Sequence, residues 1–316
     1  MNAPGHEIIL HHYDGSPYSE KIRLLLGMKG LAWRSVQIPV IMPKPDLMPL
    51  TGGYRRTPVM QIGADIYCDT RIILREIRRR HPDDGADTDP GLEWMIGAWA
   101  DRILFPLTTT MIFACLADAV PTAFVRDREA LMGRRFDPAA MRESLPRTRE
   151  QWAVQLGWLA EQLADGRSFL QGDAPGIVDI HASMNLWFAR NSIMLGRPDS
   201  LKESYPAADI LEPLTAVTAW LDRLSGIGHG RRRELSSLEA LRVAREASPE
   251  PPSQEFSCGF RAGERVNVTP DDYGRDPVSG ELVCCSFHEV AIRREDPRVG
   301  EVVVHFPRAG FVVNRE

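Results

Sequence analysis

Ser16 stands between a short apolar run and a helical one, with Pro17 at the first helical position. Proline suits that place, because its missing N–H has no intrahelical use there. Taken alone, Ser16 is an N-cap whose oxygen accepts from a backbone N–H of the first turn. The same helix start carries partial positive charge, which favours an anion beside it and can lower the pKa of a thiol. Ser19, one turn on, supports that first turn. A second helix start stands at Asp69-Thr70. Both are good capping types, and a helix N-terminus beside a hydroxyl can also hold a carboxylate. Between the two starts lies Thr57-Pro58, which is either a cis peptide or a proline opening an edge strand. Arg55 and Arg56 precede it and can pair with a carboxylate or stay solvated.

Other chemistries find less support. His11 and His12 end the first apolar run, and strand alternation puts one inward and one outward. Neither has a ligand partner at helical or loop spacing, so no metal site is expected. The five cysteines are Cys68, Cys115, Cys258, Cys284 and Cys285. None forms a CxxC pair, and adjacent Cys284-Cys285 is neither a usual disulfide nor a zinc signature. Cys68 reads as an inert, small hydrophobe at a strand end. Reduced thiols and a cytoplasmic location are the expectation.

The elements that must position these residues follow from pattern. EIILHHY (7–13) reads as a strand, PYSEKIRLLLGMKG (17–30) as a helix and WRSVQI (33–38) as a strand. PVIMPKPDLMPLTGGYRR is too rich in Pro and Gly for a regular element. PVMQI (58–62) and DIYC (65–68) read as a hairpin turning at Gly63-Ala64, and TRIILREIRRR (70–80) as a helix. The order is βαβ, an irregular connection, then ββα, which is the thioredoxin-like arrangement. HPDDGADTDPG (81–91) is a polar linker. From Leu92 to Ala247 the period is helical, with no convincing strand; 236–248 is the last helix, capped by Ser236 or Ser237. SPEPPSQ (248–254) is a second linker, stiffened by proline. Then come ERVNVTP, GELVCCSF, EVAIRR, GEVVVHFP and GFVVN, five β-type runs. They suggest a small all-β, SH3-like barrel that leans on the helical domain. The expected domains are therefore 1–82 (thioredoxin-like), 91–247 (all-helical) and 255–316 (β extension).

Composition agrees with such a chain. Its 316 residues suit two or three domains, and 43% hydrophobic with 26% charged residues can bury a sizeable core. A formal net charge of -5 gives no electrostatic case for nucleic acid. MNAPGHEIIL is too short and polar for a signal peptide, and no apolar run is long enough for a bilayer, so no membrane partner is expected.

Three pieces in order resemble the glutathione S-transferase superfamily: SPYSEKIRLLL, RRTPVMQI and DIYCDTRIILREI. The first is similar to the SPFS, CPFA or SSCS turn and following helix of the omega, beta and zeta-like classes. The second resembles a strand entered through a cis-proline. The third resembles the strand–turn–helix carrying an acid–hydroxyl pair. GDAPGIVDIHASMNLW resembles the buried capping segment of the family's helical domain, with Asp179 holding a local turn and Gly176 where Ser or Thr is usual. The C-terminal β module resembles an extension found on a bacterial branch, with no chemistry assigned to it.

The resemblance implies a thioredoxin-like domain that binds glutathione, followed by an all-α domain. It implies Ser16 as the catalytic hydroxyl on the glutathione sulfur, with Tyr18 in the same pocket. Thr57, before cis-Pro58, would pair through its backbone with the cysteinyl part, and Arg56 with the glycyl carboxylate. Asp69 would receive the γ-glutamyl ammonium and Thr70 its carboxylate. The activity implied is attack of a Ser16-stabilised thiolate on a small hydrophobic electrophile, by conjugation or isomerisation. Serine in place of cysteine at position 16 argues against disulfide exchange. The alternative is a catalytically inactive scaffold with the β module as interaction domain; redox exchange through Cys68 or Cys284-Cys285 is a third reading. Trp94, Trp99, Phe105 and Met111 are candidates for the electrophile pocket, though more of them suit the core. Asp101-Arg102 reads as a salt-bridge element near the cleft, and His229 as a cleft or capping residue. A homodimer, meeting through the thioredoxin half and the first helices of the helical half, is implied as well.

Overall fold

The computed structural model describes residues 7–82, 90–191, 207–251 and 259–316. Strand β1 (Ile8–His12), helix α1 (Pro17–Met28) and strand β2 (Ala32–Gln37) make a parallel βαβ unit. Helix α1 buries Ile22, Leu25 and Leu26 against the sheet, the face that its apolar spacing requires. The connection that follows holds one short helix, α2 (Met48–Thr51). Strand β3 (Val59–Ile62) runs antiparallel to β1, turns at Gly63 and pairs with β4 (Asp65–Cys68), which leads into α3 (Thr70–Arg80). This is the thioredoxin-type order.

The helical half opens with α4 (Pro90–Trp99), which passes through a widened π-type turn, Ala100–Leu104, into α5 (Phe105–Cys115). It continues with α6 (Thr122–Met132), α7 (Pro138–Gln162), α8 (Ile177–Asn191), α9 (Ala208–Leu211) and α10 (Thr215–Ile227). Helix α8 is buried along most of its length. The Asp179 carboxylate near its start accepts from the backbone N–H of Leu170 (2.8 Å) and Gly176 (2.9 Å), and from Trp220 Nε1 (2.7 Å). Even without Ser or Thr at 176, it holds the local turn. Leu10, Ile22, Ile73, Trp152, Leu186 and Trp220 share one apolar cluster, which fuses the helical half to one face of the sheet.

The chain then returns to the other face. Strand β5 (Arg231–Glu234) pairs parallel with β2, and helix α11 (Ser237–Glu246) buries Ala240, Leu241 and Ala244 with Ile9, Val36 and Val59. The expectation of helix only through 247 is corrected here. The run Arg231-Arg232-Arg233-Glu234 has no apolar alternation; it pairs through backbone, with the Arg232 guanidinium over the Trp33 ring. Ser236 caps α11, with Glu239 completing a capping box. Covering both faces also corrects the histidine reading. His11 and His12 are both buried, at 1% and 0% exposure. His11 Nε2 lies 2.9 Å from Gln61 Oε1, and His12 Nε2 lies 3.0 Å from Ser35 Oγ. Burial lowers their pKa values to about 4 and about 3, so both rings are neutral at pH 7.

All five β-type runs of the extension are strands: β6 (Arg265–Pro270), β7 (Val278–Cys285), β8 (Glu289–Asp296), β9 (Gly300–Pro307) and β10 (Phe311–Arg315). They pair antiparallel in the order β10-β6-β7-β8-β9. Instead of leaning on the helical domain, the unit joins the thioredoxin half edge to edge. Strand β9 runs parallel to β4, with Asp65, Ile66 and Tyr67 opposite Val303, Val304 and His305. Among the described residues one ten-stranded sheet results, β10-β6-β7-β8-β9-β4-β3-β1-β2-β5. An edge strand exposes unpaired N–H and C=O groups, and β9 covers those of β4. Residues 83–89 and 252–258 lie outside the description, and with them most of the first expected linker, the end of the second, and Cys258. Among the described residues no helix is long and apolar enough to cross a membrane, and no cluster of His, Cys, Asp and Glu is placed to hold a metal.

Candidate functional site

A cavity of about 480 Å³ lies between the start of α1, the loop before β3 and the helices α5, α6 and α8. Ser16 opens into it at 2% exposure. Its backbone is extended (φ -79, ψ 119), as an N-cap requires, and its Oγ accepts from Ser19 N–H at 3.2 Å. The side chain of Tyr13 is hydrogen-bonded with it, and burial raises the pKa of that phenol. Two hydroxyls, not one, therefore stand at the head of α1.

On one side of Ser16 is the Thr57–Pro58 peptide, which is cis. Thr57 lines the cavity, and its Oγ1 accepts from Lys44 Nζ at 3.0 Å. Lys44 also donates to the Arg55 carbonyl at 2.9 Å. Burial, with Arg128 nearby, lowers the Lys44 pKa to about 8. Arg55 pairs with Asp127 of α6, which also lies 3.1 Å from Arg128. This end of the cavity carries an excess of cations.

The opposite wall is aromatic. Phe113, Phe124 and Phe136 form a cluster with ring centroids 5.1 to 6.1 Å apart. Phe105 and Phe188 stack at 6.3 Å, and Tyr18 meets Phe105 edge-on at 4.9 Å. Of the four aromatic and sulfur candidates read from the sequence, Phe105 alone lines this cavity. Met111 is core at 1% exposure, Trp99 donates to Gln155, and Trp94 lies beside His181.

Asp69 caps α3, accepting from Arg71 N–H at 2.9 Å, with φ at 91 and ψ at 141. Burial raises its pKa, which Arg71 and Arg56 partly offset. Asp69 faces a separate recess of about 40 Å³. Between the two spaces stand Tyr18, Arg56, Asp101 and Arg102 together with Asp272 and Tyr273, which come from the connection between β6 and β7. Arg56 pairs there with Asp272, donates to the Tyr273 carbonyl and lies 3.9 Å over the Tyr273 ring. The structure thus groups Ser16, Tyr18, Arg56 and Thr57 around the cavity, with Asp69 next door. Pro58 and Thr70 line neither space.

Asp101 and Arg102 both line the cavity and both form salt bridges, as expected, but with different partners: Asp101 pairs with buried Lys21, and Arg102 with Asp271 at 2.6 Å. Other readings are corrected. His229 lies 2.9 Å from Glu20 and takes no part in the cavity wall. Cys68, Cys284 and Cys285 are buried and border neither space, and burial pushes the Cys68 thiol well up. That removes the geometry a redox site would need. Sequence reasoning missed Tyr13, Lys44, Asp127, the phenylalanines of α5, α6 and α8, and Asp272-Tyr273. Only Tyr13, three residues before Ser16, carried a local signal.

The profile of the glutathione S-transferase N-terminal domain matches residues 10–85. The crystal structure of a GST-like protein from Pseudomonas syringae matches 98% of this chain and 99% of that one, at 37% identity and TM-score 0.78. Poplar glutathione transferase F1 matches 69% of this chain and 92% of its own, at 15% identity and TM-score 0.51. A glutathione S-transferase from Rhodospirillum rubrum matches 69% and 87%, at 16% identity and TM-score 0.50. The last two show the fold alone. A search of curated protein sequences gives no match. The Pseudomonas match runs the length of both chains and so takes in the C-terminal strands. On that whole-length likeness and the domain profile, the chain belongs to the glutathione S-transferase superfamily.

Proposed function

We propose that this protein is a glutathione transferase acting on small, apolar electrophiles. The single observation that carries the reading is that Ser16, at the positive end of α1, opens into the same cavity as the phenylalanine wall. The Ser16 oxygen accepts from Ser19 N–H and is hydrogen-bonded with Tyr13; with the Tyr13 hydroxyl as donor, the Ser16 proton is left for a sulfur in the cavity. That hydroxyl and the helix start together favour thiolate over thiol; each unit of pKa depression corresponds to roughly 1.4 kcal/mol. Thr57 beside the cis peptide offers its backbone to the cysteinyl part, and Lys44 and Arg56 are the cations nearest a glycyl carboxylate. The thiolate forms a carbon–sulfur bond to the electrophile. In conjugation a leaving group departs with the electron pair or an acceptor takes up a proton; in isomerisation the sulfur is expelled again. No metal is required. The cytoplasm, where glutathione is held reduced, is the compartment we assign, with 1–82, 91–247 and 255–316 as the working domain division. A homodimer of this chain would have to form beside the extension, which already covers the β4 edge. Turnover of an electrophile panel by wild type, lost in Ser16→Ala, is the result expected. Equal rates for the two proteins would refute the role of Ser16.

A second reading has one observation in its favour. Asp272 and Tyr273 already engage Arg56, as in a scaffold that keeps the fold without turnover and uses the β module as an interaction domain. Calorimetry with glutathione alongside the turnover panel separates the two.

A further inference from the structure

The extension does more than lengthen the sheet. Its β6–β7 connection, Asp271–Gly274, reaches across to the functional half and ends between Arg56, Tyr18 and the α6 terminus. Tyr273 is half-buried there, and its side chain is hydrogen-bonded with that of Tyr18. Asp272 supplies a carboxylate to Arg56, the Tyr273 carbonyl accepts from the same guanidinium nitrogen and the Tyr273 ring lies beneath it, while Arg56 Nε is buried without a hydrogen-bond partner. Gly274 N–H donates to the Leu131 carbonyl at 2.6 Å. Its φ of +57 and the closeness of Leu131, 3.0 Å from where a Cβ would stand, require glycine. Arg102 holds Asp271 from the other side, but both are about two-fifths exposed, at 44% and 39%, so this pair is screened and weak.

We propose that Asp272 and Tyr273 set the size of the thiol this pocket accepts, by occupying the end of the site away from the sulfur. This rests on the glutathione reading above. The chemistry on the page is a like-for-like exchange: Arg56 is satisfied by a carboxylate of its own chain, so a ligand carboxylate gains only by displacing Asp272. Asp69 lines the recess and not the cavity of Ser16, and Asp272 and Tyr273 are among the residues that border both. A short thiol fits between Ser16 and the phenylalanines without disturbing the connection. A tripeptide must lift it. The strands beneath stay paired, because the contacts to be broken belong to the connection itself: two ion pairs, one of them weak, the hydrogen bonds of Tyr273 to Arg56 and Tyr18 and of Gly274 to Leu131, and a ring contact.

The experiment is calorimetry with glutathione on wild type, Tyr273→Ala and Asp272→Asn, combined with amide hydrogen exchange over 271–276 with and without glutathione. Melting of each variant is followed to show that it folds. The expected result is binding about tenfold tighter for Tyr273→Ala, a smaller gain for Asp272→Asn, and faster exchange of 271–276 in wild type when glutathione is added. Affinities within twofold of one another, with the segment equally protected, overturn the proposal and leave the glutathione site standing. Absence of binding by all three at millimolar glutathione overturns the proposal together with the reading beneath it. Should Tyr273→Ala fail to fold, Asp272→Asn and the wild-type exchange decide between the same outcomes.

Discussion

His305 of β9 lies 3.0 Å from Asp65 of β4, its ring stacked on Tyr67 at 4.5 Å and its other nitrogen 2.5 Å from Glu289. This is the seam where the extension joins the thioredoxin half. Burial alone would lower the pKa of this imidazole, but the hydrogen bonds to Asp65 and Glu289 outweigh it and raise it to about 9. A raised folded-state pKa gives stability that is complete below the unfolded value of 6.5 and is lost as pH rises through about 9. The loss is on the order of 3 kcal/mol at most. Thermal unfolding followed from pH 6 to 10 is expected to show a falling melting temperature in wild type and a flatter profile in His305→Gln. Matching profiles would remove the seam from the pH dependence.

Removal of the extension follows from the same seam. A chain ending at Pro251 leaves β4 as an edge and uncovers Ile66, Val59 and Cys68, which share a cluster with Val302, Val304 and Phe306. Paired burial of that kind is worth about 25 cal/mol per Å² of apolar surface, and an uncovered edge templates aggregation. Low soluble yield and strong light scattering are expected. A soluble, cooperatively melting truncate would show the extension to be dispensable.

Ser16→Ala is expected to raise the pKa of bound glutathione by about one unit, a tenfold smaller thiolate fraction near neutral pH. Ultraviolet titration of the thiolate in the complex measures it directly. Helix α1 would be weakened by about 1 kcal/mol through loss of the cap, so the melting temperature should move little while the titration moves much. An unshifted titration would leave Ser16 a cap and nothing more.

Asp179 is a structural test case. Its carboxylate, raised in pKa by burial, accepts from two backbone N–H groups and the Trp220 indole. Asp179→Ala leaves those three donors without an acceptor. The expected cost is about 3–5 kcal/mol. Asp179→Asn keeps one acceptor oxygen and should cost less. Denaturant unfolding of both variants checks the order; equal stability of Ala and wild type would contradict the assigned role.

How much of this was legible beforehand varies by element. The thioredoxin-type half was readable because its elements are local: Ser16-Pro17 marks one helix start, Asp69-Thr70 another, and Gly63-Ala64 a hairpin turn. Strand β5 was not, because Arg231–Glu234 carries no alternation and is held by β2 through backbone pairing. The inward place of both His11 and His12 was hidden for a related reason: α11, more than two hundred residues later in the chain, covers the second face.

What the sequence by itself determined is the set of local devices: two capped helix starts, the peptide at Thr57-Pro58, the helical texture of the middle and the five strands at the end. Their types and spacings are short-range facts. Tertiary structure alone decided that β9 pairs with β4, that phenylalanines from three helices face Ser16, and that Tyr273 sits beside Arg56. Those contacts join residues tens to hundreds of positions apart. Such contacts depend on burial and on which strand edge lies open, and neither leaves a periodic trace along the chain.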